Sequence, residues 1–224
     1  ANVLGEVCNR LPHADVDEVT NAIGDDRRIG RNFLRAGVGY GGPCFPRDNF
    51  AFAAMAKRRH VDTPLAITTH RINTRIPDKM ATLIRSVAKN KKDLVAVLGL
   101  AYKQDTPITE ESQGLMIAAS LVRAKHPVIV FDPLGYEYAE PTLKSKVSYA
   151  TTLAHALAAS RYIFIANRDR AFEQIPSLVK KTSDPKTILD PWRMFNKADF
   201  PAHATYLPMG HKNFLLVGKQ PKLV

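Results

Sequence analysis

The sequence predicts an α/β protein in two parts, a helical region with one long helix over residues 1–90 and a parallel α/β domain over residues 91–224. Two observations carry this. Up to Lys89 the apolar residues recur at helical spacing, whereas from Leu94 short β-rich runs alternate with helical stretches, the pattern of strands joined by crossover helices. Between them, Asn90-Lys91-Lys92-Asp93 has the composition of a turn and marks the boundary.

Residues 2–11 read as the end of a helix with Val3, Leu4, Val7, Cys8 and Leu11 on one face, which makes Cys8 a core thiol. Asp15 and Glu18 form a capping box for a second helix that turns Val16, Val19 and Ile23 inward and stops near Gly24. The aperiodic Asp25-Asp26-Arg27-Arg28-Ile29-Gly30-Arg31 follows, either a solvated charge cluster or a set of forked donors for phosphate or carboxylate. A third helix runs from Pro46 to about Arg59. Thr63 and Pro64 then open a long one whose stripe Leu65, Thr69, Ile72, Ile76, Met80, Leu83, Val87 makes a spine roughly 38 Å long at 1.5 Å per residue. Pro77 is expected to kink it or to remove one hydrogen bond.

In the second part the predicted strands are 94–98, 128–131, 147–149, 162–166 and 187–189, with helices near 113–125, 152–159 and 171–181. A last strand begins at Tyr206, and the chain ends in a basic tail.

The 224 residues are 45% hydrophobic and 24% charged, ordinary values for a packed protein. The net charge of +11 is spread over both parts, which argues against a nucleic-acid reader and for attraction of a small polyanion such as a nucleotide. Two cysteines make no disulfide framework, so both thiols are expected free in a reducing, cytoplasmic setting. No apolar run approaches the length of a membrane span and no leader pattern stands at the start. The opening Ala1-Asn2-Val3 lies inside an apolar periodic pattern without a methionine, so a longer parent protein is expected. The seven histidines fall far apart, and no metal site is expected.

Chemistry concentrates in Gly37-Val38-Gly39-Tyr40-Gly41-Gly42-Pro43-Cys44-Phe45-Pro46-Arg47-Asp48. Four glycines in six residues let the backbone approach a ligand closely. Pro46 is expected as the first residue of a helix. Cys44 then stands just outside the helix N-terminus, where the macrodipole favours an anion, and Asp48 falls in the first turn. Thiol and carboxylate address one small volume, as a nucleophile and a base or water-positioning group would. The alternative is a small buried hydrophobe beside a helix-dipole partner. Gly37, Gly39 and Gly42 match G-x-G-x-x-G literally, but no strand precedes them, so the dinucleotide fingerprint fails. The second part opens strand-Gly99-Leu100-Ala101 and its second strand ends at Asp132, half of a nucleotide-binding pattern without the glycine triplet.

Asp26-Arg27-Arg28-Ile29-Gly30, Phe33-Leu34, the Gly37–Asp48 run, Gly99-Leu100-Ala101-Tyr102-Lys103-Gln104-Asp105-Thr106 and Phe131-Asp132-Pro133 resemble, in this order, the motifs of the UDP-glucose/GDP-mannose dehydrogenase family, and of its UDP-glucose 6-dehydrogenases in particular. The resemblance implies a three-part, NAD-dependent enzyme of which this chain holds the central helical region, a dimerisation element, and the Rossmann-like UDP-binding domain. It implies that the N-terminal NAD-binding domain, with a catalytic lysine and asparagine, is absent. Cys44 would attack the C6 aldehyde of UDP-glucose and Asp48 would help activate water. Arg35, Ala36, Gly37, Val38, Gly39, Tyr40 and Gly41 would cradle uridine, with Phe33 shaping the pocket wall. Arg28 would reach the neighbouring subunit's substrate, while Tyr102, Lys103 and Arg193 would hold sugar and phosphates. Cys44, Phe45, Pro46 and Arg47 would border the nicotinamide. The chain departs from the family pattern at Val3, Arg47 and Glu110, the last where a cofactor-contacting arginine is usual. GDP-mannose or an N-acetylated sugar as substrate, and a non-catalytic UDP-binding or dimerisation module, remain open readings.

Overall fold

The computed structural model describes residues 1–211. Four strands of the second part are largely buried because both faces of the sheet are covered. These are β1 (Val95–Leu98), β2 (Val128–Phe131), β4 (Tyr162–Ile165) and β5 (Lys186–Asp190), joined by the short β3 (Ser148–Tyr149) and by β6 (Ala204–Pro208). The six strands lie in the order β3-β2-β1-β4-β5-β6, all parallel. Val95 pairs with both Val128 and Tyr162, so β1 is central and the chain reverses its direction of winding between β1 and β4. That reversal opens a crevice at the carboxyl ends of the strands.

Side chains alternate across the sheet and build two cores. On one face Val95, Val97, Val130 and Phe164 meet Ile117 and Leu121 of α5 (Gln113–Arg123) and Ile84 and Val87 of α4 (Pro64–Val87). On the other, Ala96, Leu98, Ile129 and Ile163 meet Leu157 of α7 (Leu153–Ala159) and Ile175 and Val179 of α8 (Ile175–Val179). The long helix forms as expected and continues through Pro77, but its stripe divides. Ile76, Met80, Ile84 and Val87 enter the sheet's core, whereas Leu65 is 83% exposed. Asp78 of α4 fastens this packing by accepting hydrogen bonds from Ser120 (2.7 Å) and Arg123 (3.1 Å) of α5. The apolar contacts therefore run across the Asn90–Asp93 turn.

Ahead of the spine lie α1 (Asn2–Cys8), α2 (Val16–Gly24) and α3 (Phe45–Arg58). Cys8 is buried as expected, but α1 is shorter than its apolar pattern suggested, and Val3, Val7 and Leu11 face outward. Asp15 caps α2 through the Asp17 amide (2.8 Å) rather than through a reciprocal box with Glu18. The helix expected at 171–181 divides into a 3-10 turn at Arg170–Gln174 and α8, with Pro176 in its first turn. An unexpected α6 (Tyr136–Leu143) forms around Pro141, a residue that masks the pattern. The basic tail expected after β6 lies outside the described residues. Among the described residues no helix is long and apolar enough to cross a membrane.

Ile84 is fully buried between α4 and the sheet. Ile84→Ala is expected to cost about 2–5 kcal/mol through lost burial and a residual cavity. A denaturant midpoint that does not move would show that the spine is not part of the sheet's core.

Candidate active site

The loop from Ala36 to Cys44 lies across the carboxyl edge of the sheet and is held from several sides. The Gly37 amide donates to Asn2 Oδ1 (2.9 Å), and Asn2 Nδ2 donates to the Val38 carbonyl (3.2 Å). Tyr40 is gripped most firmly. Its amide donates to Asn73 Oδ1 (2.8 Å), while its carbonyl accepts from Asn73 Nδ2 (2.9 Å) and Gln113 Nε2 (3.2 Å). Asn49 Nδ2 donates to its hydroxyl (3.0 Å), and the Gly42 amide donates to the Glu110 carbonyl (3.0 Å). Asn73, Gln113 and Asn2 were not expected as site residues. Asn73 left a trace in the sequence, a polar residue on the inward face of the spine helix, whereas Gln113 left none.

The glycines serve a different purpose from the one expected. A Cβ at Gly37 would lie 2.5 Å from the Trp192 ring, and one at Gly42 2.5 Å from the Tyr102 ring. At Gly39 it would collide with Asn73, and at Gly41 with the Glu111 carbonyl oxygen. The absent side chains admit neighbouring protein, and the amides of Gly37, Tyr40 and Gly42 are committed to it. Only Gly42 among these needs a positive φ (+84°).

Cys44 is the N-cap of α3 and is exposed, and Phe45 rather than Pro46 is the first helical residue. The Asp48 amide closes the first turn on the Cys44 carbonyl (2.8 Å), and the Asp48 carboxylate is paired with Arg47 (3.2 Å). Tyr102 stands against Gly42, with the Lys103 ammonium 5.4 Å from its ring centroid. Tyr102 thus borders the loop two residues before Cys44, with Lys103 over its ring. Phe33 is 97% exposed with φ +61°, and Arg28 is exposed and paired with Asp26 (2.6 Å). Among the described residues neither makes a hydrogen bond, ion pair or ring contact with Tyr102 or Lys103.

Arg193 sits on the turn after β5, built on the buried Asp190 carboxylate. Asp190 accepts from the Trp192 (2.9 Å) and Met194 (2.7 Å) amides and from the Tyr206 hydroxyl (2.9 Å). Burial pushes the Asp190 carboxyl above its usual range although these donors oppose it, and burial also pushes the Tyr206 hydroxyl far up. The Arg193 guanidinium pairs with Asp15 (2.6 Å) and Asp17 (3.0 Å), latching this turn to α2. Burial works against ionised Asp15, but Arg193 and the Asp17 amide outweigh it and hold its carboxyl below the ordinary 3.8.

Between this turn and the loop lies a cavity of about 310 Å³ lined by Arg31, Arg35, Ala36, Arg168, Trp192, Arg193 and Asp17, among others. A second, of about 390 Å³, lies beyond Arg193 toward Lys197 and Tyr206. The β1 loop differs from a dinucleotide seat. Gly99 turns with φ +100°, and Gly114 lets α5 approach the Gly99 carbonyl, so two glycine roles of the fingerprint persist at a wider spacing. The loop amides, however, are taken by Asp132, whose Oδ2 accepts from Leu100 (2.6 Å) and Ala101 (2.9 Å) while Oδ1 accepts from Leu134 (2.9 Å) and Gly135 (2.6 Å). The described residues therefore do not fit NAD at this sheet. Among them no three His, Cys, Asp or Glu side chains come together as a metal site would require.

A parallel sheet in this strand order, with a cation-lined cavity beside the loops after β4 and β5, defines a doubly wound domain of the nucleotide-binding class. Sequence comparison narrows the class: the chain belongs to the UDP-glucose/GDP-mannose dehydrogenase family, residues 1–75 matching its central domain and residues 96–197 its UDP binding domain. It is 32% identical over 179 residues to the UDP-glucose 6-dehydrogenase of Rickettsia felis, covering 78% of this chain and 39% of that protein. It is 35% identical over 160 residues to the UDP-glucose 6-dehydrogenase TuaD of Bacillus subtilis, covering 70% and 34%. A UDP-glucose dehydrogenase from Pyrobaculum islandicum superposes with a TM-score of 0.78 at 29% identity, over 92% of this chain and 45% of that one. The chain spans less than half the length of these relatives.

Because Asp15 is depressed on folding, the latch stabilises fully above the unfolded value and is lost as pH falls through the folded one. Asp15→Asn, which keeps the cap, is expected to be less stable than wild type above about pH 5, with the gap closing below about pH 4. Urea unfolding of both proteins over that range checks this, and a gap independent of pH would remove the ion pair from the account. Gly30 also has a positive φ (+74°) but nothing within 4 Å of a would-be Cβ. Gly30→Ala is therefore expected to cost about 1–2 kcal/mol of backbone strain and Gly42→Ala distinctly more. Equal losses would show that the Tyr102 contact is slack.

Proposed function

We propose that this chain is the substrate-binding and thiol-bearing part of an NAD-dependent nucleotide-sugar dehydrogenase that oxidises the C6 alcohol of UDP-glucose to the carboxylate. Its central region would be residues 1–90 and its UDP-sugar domain 91–224. The observation that carries the reading is the pinned loop. Its Arg35–Ala36 end borders an arginine-lined cavity, and its other end packs Gly42 on the Tyr102 ring two residues before the exposed Cys44. A nucleotide sugar laid along it has its phosphates among cations and its C6 near the thiol.

In that pose Arg35, Ala36, Gly37, Val38, Gly39, Tyr40 and Gly41 flank the nucleotide and Tyr102 and Lys103 the sugar. Arg193 closes the nucleotide end, Phe33 would shape the pocket wall, and Arg28, exposed and paired with Asp26, would reach the substrate of a neighbouring copy. Two-electron oxidation of the C6 alcohol gives the aldehyde, to which the Cys44 sulfur adds, forming a C–S bond while the carbonyl oxygen takes a proton. Two-electron oxidation of this hemithioacetal leaves a thioester. Water activated with the help of Asp48 then breaks the C–S bond, releasing the carboxylate and restoring the thiol. Two molecules of NAD would supply the acceptor for the two oxidations. Because Asp132 occupies the β1 loop amides, the main NAD seat belongs to another part of the enzyme, with Cys44, Phe45, Pro46 and Arg47 at the border. The exposed Phe50, Phe52, Met55, Leu65 and Ile67 on α3 and α4 support association of two copies through the central region.

In the enzyme assembled with its dinucleotide-binding part, Cys44→Ser is expected to lower acid formation by about three orders of magnitude or more. UDP-glucose binding, measured by calorimetry, should stay within about twofold, since the thiol acts after binding. Acid formation retained by the serine variant would remove Cys44 from the nucleophile's role.

A further inference from the structure

Charge that is spread along the sequence is gathered in space. All six strands are parallel, and each of β1 to β5 is entered from a helix or a 3-10 turn, so the five connections into them emerge at one edge of the sheet, opposite the crevice. Lys89, Lys91 and Lys92 lie in the connection from α4 to β1, and Lys125 in that from α5 to β2. Lys144 and Lys146 precede β3, Arg161 precedes β4, and Lys180 and Lys181 precede β5. All nine are exposed, and among the described residues these connections hold two carboxylates, Asp93 and Asp184. Nine cations against two anions leave a surplus of seven on this amino edge, out of a net +11 for the chain.

The architecture accounts for only part of this. Helix C-termini end at the amino edge and favour cations. Two cations already serve that purpose or are spent nearby. The buried Lys186 ammonium donates to the Ala158 (3.3 Å) and Ser160 (2.8 Å) carbonyls at the end of α7, and Arg123 in the last turn of α5 is paired with Asp78 (3.1 Å). The nine exposed cations come in addition. None of their side chains makes an ion pair or a hydrogen bond among the described residues, and Arg161 lies over the Tyr162 ring at 5.7 Å. Like charges gathered this way repel one another, a cost that an apposed anionic surface turns into attraction.

The character of the face selects its partner. Eight of the nine cations are lysines, hydrated point charges rather than the planar forks that read phosphates or bases in pairs. None of the exposed large apolar side chains lies in these connections, so the face lacks the anchors of a protein interface and the stacking platform of a nucleic-acid reader. Five strand ends at roughly 4.8 Å spacing span about 20 Å, and helices on both faces of the sheet widen the patch in the other direction, which suits a plane better than a rod. We propose that the amino edge of the sheet is a docking face for an anionic lipid surface. It holds the chain peripherally, with the loop that bears Cys44, on the opposite edge, left open to solvent. The proposal stands independently of the dehydrogenase reading.

Co-sedimentation of the chain with vesicles of phosphatidylcholine, and of phosphatidylcholine containing about one-third phosphatidylglycerol, tests it at about 0.1 M salt. A lysine at an anionic surface contributes about 1 kcal/mol, or about fivefold in partitioning. The quadruple variant Lys91→Gln, Lys92→Gln, Lys180→Gln, Lys181→Gln is therefore expected to bind anionic vesicles about a hundredfold more weakly or worse. A control with the same loss of charge, Arg10→Gln, Arg27→Gln, Arg58→Gln, Arg59→Gln, in the helices ahead of the spine, is expected to stay within about threefold of wild type. All eight positions are exposed, so both variants are expected to fold, and thermal melts verify this. Equal losses in the two variants overturn the docking face, as does wild-type binding to neutral vesicles as strong as to anionic ones. A wild-type chain that stays in the supernatant with both vesicles overturns it too. A DNA duplex bound in preference to the anionic vesicles, through the same four lysines, assigns the face to nucleic acid and overturns the lipid.

Discussion

The peptide group of Tyr40 is held on both its donor and its acceptor sides by one asparagine of the spine helix, with a glutamine from the first helix of the sheet domain added on the carbonyl. This grip ties three elements at one point: the loop that ends at Cys44, the helix α4, and the helix α5 that packs on β1. Buried amide pairs of this kind are costly to leave half-made, so they specify one docking geometry rather than a family of them. Gly39 follows from that constraint, because any side chain there would collide with Asn73. The placement of Cys44 follows in turn, since only three residues separate it from Tyr40.

The sheet domain reuses a nucleotide-binding architecture while changing how its charges are satisfied. Gly99 and Gly114 keep the tight turn and the close approach of helix to strand, but the amides that would meet a phosphate are neutralised from within by Asp132. A carboxylate with four backbone donors is well satisfied and has no need of a ligand. Cationic character is moved along the same edge, to the loops after β4 and β5. The Asp190 turn supports this move. Its buried carboxylate organises the amides of Trp192 and Met194, and the Arg193 guanidinium it presents is divided between Asp15 and Asp17. The first helices are thereby fastened to the far side of the sheet, closing a ring of contacts around the crevice.

Much of this was legible in the residues. Continuous apolar runs announced β1, β2 and β4, a short β-rich run announced β5, and an unbroken stripe announced the spine, because burial on both faces of a sheet or along one face of a helix leaves a trace in the residues. Cys44 and Asp48 were legible because a cap, a proline and a first-turn carboxylate are local signals. The helix α6 was not, since Pro141 and a mixed composition conceal it. Nor was the exposure of Val3, Val7 and Leu11, because periodicity marks an apolar face without saying what covers it.

The sequence by itself determined the fold class, the order of elements and the thiol-bearing loop, all of which depend on interactions among residues near each other in the chain. Tertiary structure alone decided what the glycines are for. A missing side chain reads the same in sequence whether it admits a ligand or a neighbouring helix, and here it admits Asn73, Gln113, Glu111, Tyr102 and Trp192. It also decided which arginines are spent and which are left over, because charge pairing depends on distances between residues as remote as Asp15 and Arg193.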